Sequence, residues 1–234
     1  MKAVILAGGL GTRLRPITYE IPKPLITVKK KSILTHLIDF FRKSKVLEIA
    51  VLASRAHEDD FQKWHKPLKE ELQNEAPVLF YEETPRGTFG GFEDENLREW
   101  LGNGDFIVSN GDELKDFDLG KLIDFHKSHN GVGTIAMVEV PNPQDYGVPI
   151  LEGSNVVQFL EKPENPPSRH INSGLYAFTP EVFNYADFSK NPLMTERDIF
   201  PRLATAKKLH GIKLEGRWYD CGTMERWDKA IKEW

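Results

Sequence analysis

The run Ala3-Val-Ile-Leu-Ala7 stops abruptly at Gly8-Gly-Leu-Gly11, and this junction constrains the chain more than any other stretch. A short apolar run of this length suits a buried strand. Glycine puts no side chain between a ligand and the backbone, and it adopts positive φ at little cost. Successive exposed N–H groups in such a loop form an anion-binding concavity. Thr12, Arg13, Arg15 and Lys23 add a hydroxyl and three cations to the same segment. The combination suits a polyphosphate. Taken alone, it equally describes a tight βα turn with solvated basic residues. Two familiar phosphate loops fit less well. The dinucleotide fingerprint needs a third glycine where Leu14 stands, and Pro16 and Pro22 oppose a long helix. The P-loop needs Gly-Lys-Ser/Thr, which does not occur in this chain.

Composition narrows the setting. A net charge of −4 and a pI near 6.0 give no global attraction to nucleic acid or anionic membrane, so an anionic ligand must be held by local cations. The single cysteine, Cys221, cannot form an intrachain disulfide and suggests a reducing compartment. A first strand beginning near Lys2 leaves no room for a signal peptide, and no apolar run approaches the roughly 20 residues that span a bilayer. A cytoplasmic protein is expected.

Along the chain, Ser32 is placed to cap a helix whose apolar residues Ile33, Leu34, Leu37, Ile38 and Phe41 recur at helical spacing. Residues 48–54, 77–82 and 105–109 read as strands, and residues 119–127 as an amphipathic helix. Residues 58–72 should form two surface helices split at Pro67, and residues 87–100 one helix. Short strands alternating with helices predict a parallel-rich α/β sheet. Beyond about residue 130, the runs 133–140, 148–151, 156–160 and 174–178 are separated by turns and suggest added antiparallel hairpins. Helices over residues 196–207 and 223–234 should close the chain.

Ligands of parallel α/β sheets bind beyond the carboxyl ends of the strands. Three such ends carry candidates: the glycine loop, Glu82-Glu-Thr-Pro-Arg-Gly-Thr88 and Asn110-Gly-Asp112. Asp112 either caps a turn or holds a cation. Asp220 lies in Gly216-Arg-Trp-Tyr-Asp-Cys-Gly-Thr223, a strand running into a glycine turn and a helix. If the two aspartates meet, they suit Mg²⁺, which takes one or two carboxylates plus phosphate and water oxygens. Lys23 lies between two prolines, which should hold its backbone extended, and Lys162 precedes Pro163. A lysine so restricted in a phosphate loop suits a fixed point charge. His57, His65, His126 and His129 show no metal-ligand spacing, and Cys221 reads as a packed small residue.

Gly8-Gly-Leu-Gly-Thr-Arg-Leu14, Lys23-Pro24, Pro85-Arg-Gly-Thr88, Asn110-Gly-Asp112, Tyr146-Gly-Val148, Glu161-Lys-Pro163, Asn172-Ser-Gly174, Glu196-Arg-Asp198 and Trp218-Tyr-Asp-Cys-Gly-Thr223 occur in that order. Together they resemble the sugar-1-phosphate nucleotidyltransferases, over nearly the whole chain. The resemblance implies a single Rossmann-like α/β/α domain over residues 1–234, with a mixed, mostly parallel central sheet. It implies a reaction in which a nucleoside triphosphate and a sugar 1-phosphate give an NDP-sugar and pyrophosphate with Mg²⁺. It places Leu6, Ala7, Gly8, Gly9, Gly11, Thr12, Glu82, Gly87, Thr88 and Asn110 at the nucleotide. Arg13 would grip the β- and γ-phosphates, Lys23 the α-phosphate and Lys162 the sugar phosphate. Gly147, Glu161, Asn172 and Gly174 would shape the sugar pocket, and Asp112 and Asp220 would hold the metal. No nucleic acid or membrane partner is implied, and a homo-oligomer is allowed. No β-helix tail of the kind found in bifunctional relatives is expected. Two positions depart from the family's Leu-Gly-Thr-Ala-Gly: Arg86 replaces the leucine and Phe89 the alanine, where it either narrows the base pocket or packs beneath it.

Glu82 bears on the base. Guanylyl-transferring relatives often carry glutamate there, thymidylyl- and uridylyl-transferring ones glutamine. A carboxylate offers two acceptors to the adjacent N1–H and N2–H₂ donors of guanine and repels the carbonyls flanking a pyrimidine N3–H. GTP and mannose 1-phosphate are therefore favoured. The alternatives are UTP or dTTP with glucose or amino-sugar 1-phosphates, a heptose 1-phosphate, or a catalytically silent regulatory subunit. The silent reading conflicts with the presence of Arg13, Lys23, Asp112, Lys162 and Asp220 together.

Overall fold

The opening apolar run becomes strand β1 (Lys2–Ala7), with Ala3, Val4, Ile5 and Ala7 buried. The computed structural model describes residues 1–234. After a 3-10 turn at Thr12–Leu14, a single helical turn α1 (Ile17–Glu20) and a second 3-10 turn at Lys23–Leu25 lead to the hairpin β2 (Thr27–Val28) and β3 (Lys31–Ser32). Ser32 caps α2 (Ile33–Lys43), its hydroxyl accepting from the Thr35 amide at 3.0 Å. Strand β4 (Ile49–Ser54), helix α3 (Glu58–Leu72) and strand β5 (Val78–Glu82) follow. Then come α4 (Glu95–Leu101), β6 (Phe106–Asn110), β7 (Glu113–Phe117), α5 (Leu119–Lys127) and β8 (Gly133–Glu139). Strands β9 (Gly147–Glu152), β10 (Asn155–Glu161) and β11 (His170–Phe178) precede α6 (Phe200–Thr205), β12 (Leu209–Lys213), β13 (Gly216–Asp220) and α7 (Met224–Glu233).

These elements form two compact units. The first comprises Met1–Pro85, Ser109–Asp116 and Arg217–Trp234. In it, β4 lies between β1 and β5, parallel to both, and every residue of β4 is buried. Strands β7 and β13 pair in a small separate sheet. The second unit comprises Arg86–Val108 and Phe117–Gly216. Its strand order is β6-β11-β8-β12-β10-β9. Its core holds a cluster of phenylalanines, with Phe89, Phe92, Phe106 and Phe178 fully or almost fully buried.

Several local expectations need correction. Helix α3 is continuous through Pro67. Its N-terminal half is anchored by buried Phe61, by Trp64 Nε1 donating to Thr35 Oγ1 at 3.0 Å and by His65 Nε2 at 2.7 Å from the Pro77 carbonyl. Tertiary anchoring thus carries the helix past its missing N–H. Residues 87–100 are not one helix: a 3-10 turn at Gly90–Glu93 precedes α4, which starts where the Asp94 side chain accepts from the Asn96 and Leu97 amides. A π turn, Thr195–Ile199, replaces the start of the helix expected over residues 196–207. The four later runs pair antiparallel as expected, β8 with β11 and β9 with β10, whereas β12, which was not expected as a strand, runs parallel to β8. Lys23 opens a 3-10 turn, since Pro24 in a first turn needs no amide partner.

Candidate active site

In the first unit the glycine loop leaves β1 and folds back on the Lys23 segment. Gly11 is left-handed, at φ 60° and ψ 28°, and its carbonyl accepts from Thr18 Oγ1 at 2.8 Å and from the Leu14 amide at 2.9 Å. A Cβ on Gly11 would lie 2.8 Å from Thr18 Cγ2 and 3.2 Å from Lys23 Cβ, so this position requires glycine twice over. Gly9, Thr12 and Arg13 are exposed. Glu82, the last residue of β5, is registered beside Ser54, and a Cβ on Gly8 would lie 2.8 Å from its Oε2. The Gly111 amide donates to the Leu6 carbonyl at 2.9 Å, so the Asn110-Gly-Asp112 turn is fastened to the end of β1.

Lys23 and both aspartates come together here. The Lys23 side chain, 8% exposed, is ion-paired with Asp112 through its ammonium, and the Asp220 carboxylate also acts on it. Burial disfavours the charged ammonium, but Asp112, with Asp220 and Glu113 behind it, outweighs burial and raises the lysine pKa. Burial likewise works against the Asp112 carboxylate, and Lys23 reverses it, leaving Asp112 below the usual carboxylate range. The Cys221 amide donates to the Asp112 carbonyl at 3.2 Å, which puts Asp220 alongside. Asp220, 11% exposed, accepts from Arg226 Nη1 at 2.5 Å.

Sequence reasoning missed Glu113. Its carboxylate is buried and accepts from Asn110 Nδ2 at 3.1 Å, Lys115 Nζ at 2.8 Å and Trp218 Nε1 at 3.1 Å. Burial, with the neighbouring Asp112 and Asp220 charges, pushes its pKa up to about 7. The only signal was a second acid directly after Asp112. Cys221 is buried, and burial followed by the Asp220 charge pushes its thiol up to about 12, which makes it inert.

The second unit gathers another group of the expected residues. Gly87, at φ 93°, lies against the backbone of Leu193. The Thr88 hydroxyl donates to Glu196 Oε2 at 2.9 Å and accepts from the Thr195 amide at 2.8 Å, so it faces inward. Glu196 Oε1 accepts from the Tyr176 hydroxyl at 3.3 Å, which accepts from Asn172 Nδ2 at 2.8 Å. Asn172 Oδ1 in turn accepts from the Gly174 amide at 2.9 Å, where β11 bulges against β8 and Gly174 takes φ 62°. Burial raises the Glu196 pKa, and Glu161 adds to the effect. Glu161 is registered opposite Gly147, where a Cβ would lie 3.1 Å from Glu161 Oε2. Lys162 follows at φ 49°, exposed, its amide donating to the Tyr146 carbonyl at 3.1 Å. Glu196 and Tyr176 join the candidates, although the sequence marked only the first, and only as part of a motif. Phe89 is fully buried among Phe92, Phe178, Phe183 and Phe188, and Arg86 is ion-paired with Glu93. The departure at Phe89 therefore fills the core.

The profile of the Nucleotidyl transferase family matches residues 2–233, and the chain belongs to that family. Its relatives include the mannose-1-phosphate guanylyltransferase catalytic subunit beta of Dictyostelium discoideum, 36% identical over 95% of this chain and 61% of that one. Mannose-1-phosphate guanyltransferase beta-A of Xenopus laevis is 37% identical, with the same coverages. Mannose-1-phosphate guanylyltransferase 1 of Arabidopsis thaliana is 35% identical, again over 95% and 61%. The chain thus spans about 61% of the length of these curated relatives. A Bacillus anthracis crystal structure, provisionally named a glucose-1-phosphate thymidylyltransferase, superposes with a TM-score of 0.88 over 99% of this chain and 94% of that one, at 22% identity. It shares the mixed α/β fold. No helix is long and apolar enough to cross a membrane.

Proposed function

We propose that this chain transfers a guanylyl group from GTP to mannose 1-phosphate, giving GDP-mannose and pyrophosphate. The observation that carries the reading is the Glu82 carboxylate lying at the backbone of Gly8. Two acceptors there match the N1–H and N2–H₂ donors of guanine. The guanylyltransferase names of the relatives favour the same base and sugar.

A sugar-phosphate oxygen attacks the α-phosphorus of GTP, the bond from that phosphorus to the β-phosphate oxygen breaks, and pyrophosphate leaves. No protein nucleophile is needed, and the work is positioning and charge neutralisation. In this reading Gly8, Gly9 and Gly11 present amides to the phosphates, Arg13 takes the β- and γ-phosphates and Lys23 the α-phosphate. Lys162 holds the sugar phosphate, while Glu161 and Asn172 take sugar hydroxyls. Asp112 and Asp220, two carboxylates acting on one lysine, fit the oxygen-donor chemistry of Mg²⁺ and would hold it. When bound, the ion supplies positive charge to the phosphate oxygens. A cytoplasmic setting belongs to the same reading, since the lone thiol calls for no oxidising compartment.

The test is a matrix of GTP, UTP, dTTP, CTP and ATP against mannose, glucose and N-acetylglucosamine 1-phosphates, read as pyrophosphate. GTP with mannose 1-phosphate should turn over fastest. A faster pair built on dTTP or UTP would move the assignment to the other branch of the family.

A further inference from the structure

Each of the two candidate metal ligands is already engaged by its own cation. Lys23 holds Asp112, and Arg226 holds Asp220. All four side chains are at least partly buried: Lys23 is 8% exposed, Asp112 36%, Asp220 11% and Arg226 24%. Both pairs are fixed by backbone. Lys23 opens the 3-10 turn, and Thr223 caps α7 by accepting from the Arg226 amide at 3.3 Å, which sets the root of the arginine. The Asp220 carboxylate is folded onto the next turn, so that a Cβ on Gly222 would lie 2.7 Å from its Oδ1.

We propose that Arg226 and Lys23 are internal counter-ions that keep Asp112 and Asp220 closed to a bare divalent cation until the nucleotide polyphosphate arrives. The inference rests on the reading of the two aspartates as metal ligands. A dication approaching without nucleotide meets carboxylates that are each already neutralised. It must break two ion pairs and then sit beside two uncompensated positive charges in a partly desolvated pocket. A triphosphate reverses that balance. Its oxygens accept Lys23, release Asp112, and bring the negative charge that two cations and a metal require. Metal and nucleotide then each strengthen the binding of the other, since the coupling is reciprocal. Arg226 is thus a positioning residue, which acts on the metal through Asp220.

Mn²⁺ is the probe, with no nucleotide present, and free Mn²⁺ is counted by electron paramagnetic resonance during titration of the folded protein. Wild type should bind weakly. Arg226→Gln should bind about tenfold more tightly, within the usual range for coupled sites. Lys23→Met should tighten Mn²⁺ in the same direction, giving a second test if the first variant fails to fold. Arg226→Lys should stay near wild type because it keeps the charge. If both Arg226→Gln and Lys23→Met bind Mn²⁺ no better than wild type, the counter-ion role is overturned, while binding lost with Asp220→Asn would leave the metal site standing. Mn²⁺ binding that persists in the Arg226→Gln, Asp220→Asn double variant would remove Asp220 from the site, and both readings with it.

Discussion

Glu113 and Lys115 stand two positions apart on β7, on one face of the strand, and form a 2.8 Å ion pair in which the lysine side chain is wholly buried. The same carboxylate receives Asn110 from the strand-end turn and Trp218 from β13. The pair therefore ties together the segments that carry Asp112 and Asp220. Lys115→Met removes the cation, Glu113 takes a proton near neutral pH, and the lost buried hydrogen bond should cost about 1–3 kcal/mol of stability in urea unfolding. The Glu113→Gln, Lys115→Met double variant, which removes both charges and keeps an acceptor for Asn110 and Trp218, should recover part of that loss. A single-variant loss below about 1 kcal/mol would show that the pair behaves as a solvated one.

Phe89 tests what the departure from the family's alanine does. Its ring centroid lies 4.9 Å from Phe92 and 6.2 Å from both Phe178 and Phe183. Phe89→Ala opens a cavity in that cluster and should destabilise the protein by about 3–5 kcal/mol. The KM for GTP in the surviving folded protein should not change. A lowered KM with little loss of stability would return Phe89 to the base pocket.

The elements that could be read in advance are those with short-range causes. Ser32 before Ile33, Thr223 before Met224 and the apolar run of β4 each carry their own signal. Local rules failed where distant residues decide. Pro67 is carried by contacts of Trp64 and His65 with other elements, and β12, a run too short and mixed to read as a strand, is held by its parallel pairing with β8. In the candidate site, the convergence of Lys23 with Asp112 and Asp220 was visible only as ordered motifs. Glu113 and Lys115 were hidden for a physical reason: Glu-Leu-Lys on a strand has the alternation of a half-solvated strand, and only the fold shows that its charged face is covered as well as its apolar one.

The two lysines of the proposed mechanism should separate by stability. Lys23→Ala and Lys162→Ala should each lower the rate of pyrophosphate release by about 10²–10³, the usual cost of removing one preorganised charge donor. Lys23 is buried against Asp112, so its loss should also lower the melting temperature, whereas exposed Lys162 should leave melting unchanged. Turnover near wild type in both variants would remove them from the reaction.

The histidines of the second unit should give the protein an acid-sensitive step unrelated to its chemistry. His129 Nδ1 accepts from the Gly131 amide at 3.0 Å, so its proton sits on Nε2 and is donated to Thr134 Oγ1 at 3.0 Å. The Thr134 hydroxyl then donates to His126 Nδ1 at 2.7 Å, which leaves the His126 proton on a buried Nε2, 3.9 Å from Asp105. His210 stacks on His129 with centroids 3.9 Å apart and reaches Ser154 at 3.2 Å. The chain of bonds needs neutral rings, because a second proton on His129 would face the Gly131 N–H. Burial first, and then the neighbouring His210 and His126, bring His129 down to about 4. Burial also lowers His126 and His210, with Lys127 adding to the effect on His126 and Asp105 opposing it. A folded-state pKa below the unfolded value of about 6.5 means that the unfolded chain takes the proton first. The His129 contribution is therefore fully present above about pH 6.5 and is lost as pH falls toward 4. Urea unfolding at stepped pH should show wild type losing stability more steeply than His129→Gln between those limits. Parallel pH profiles for the two proteins would mean that His129 takes its proton in the folded state as readily as in the unfolded one.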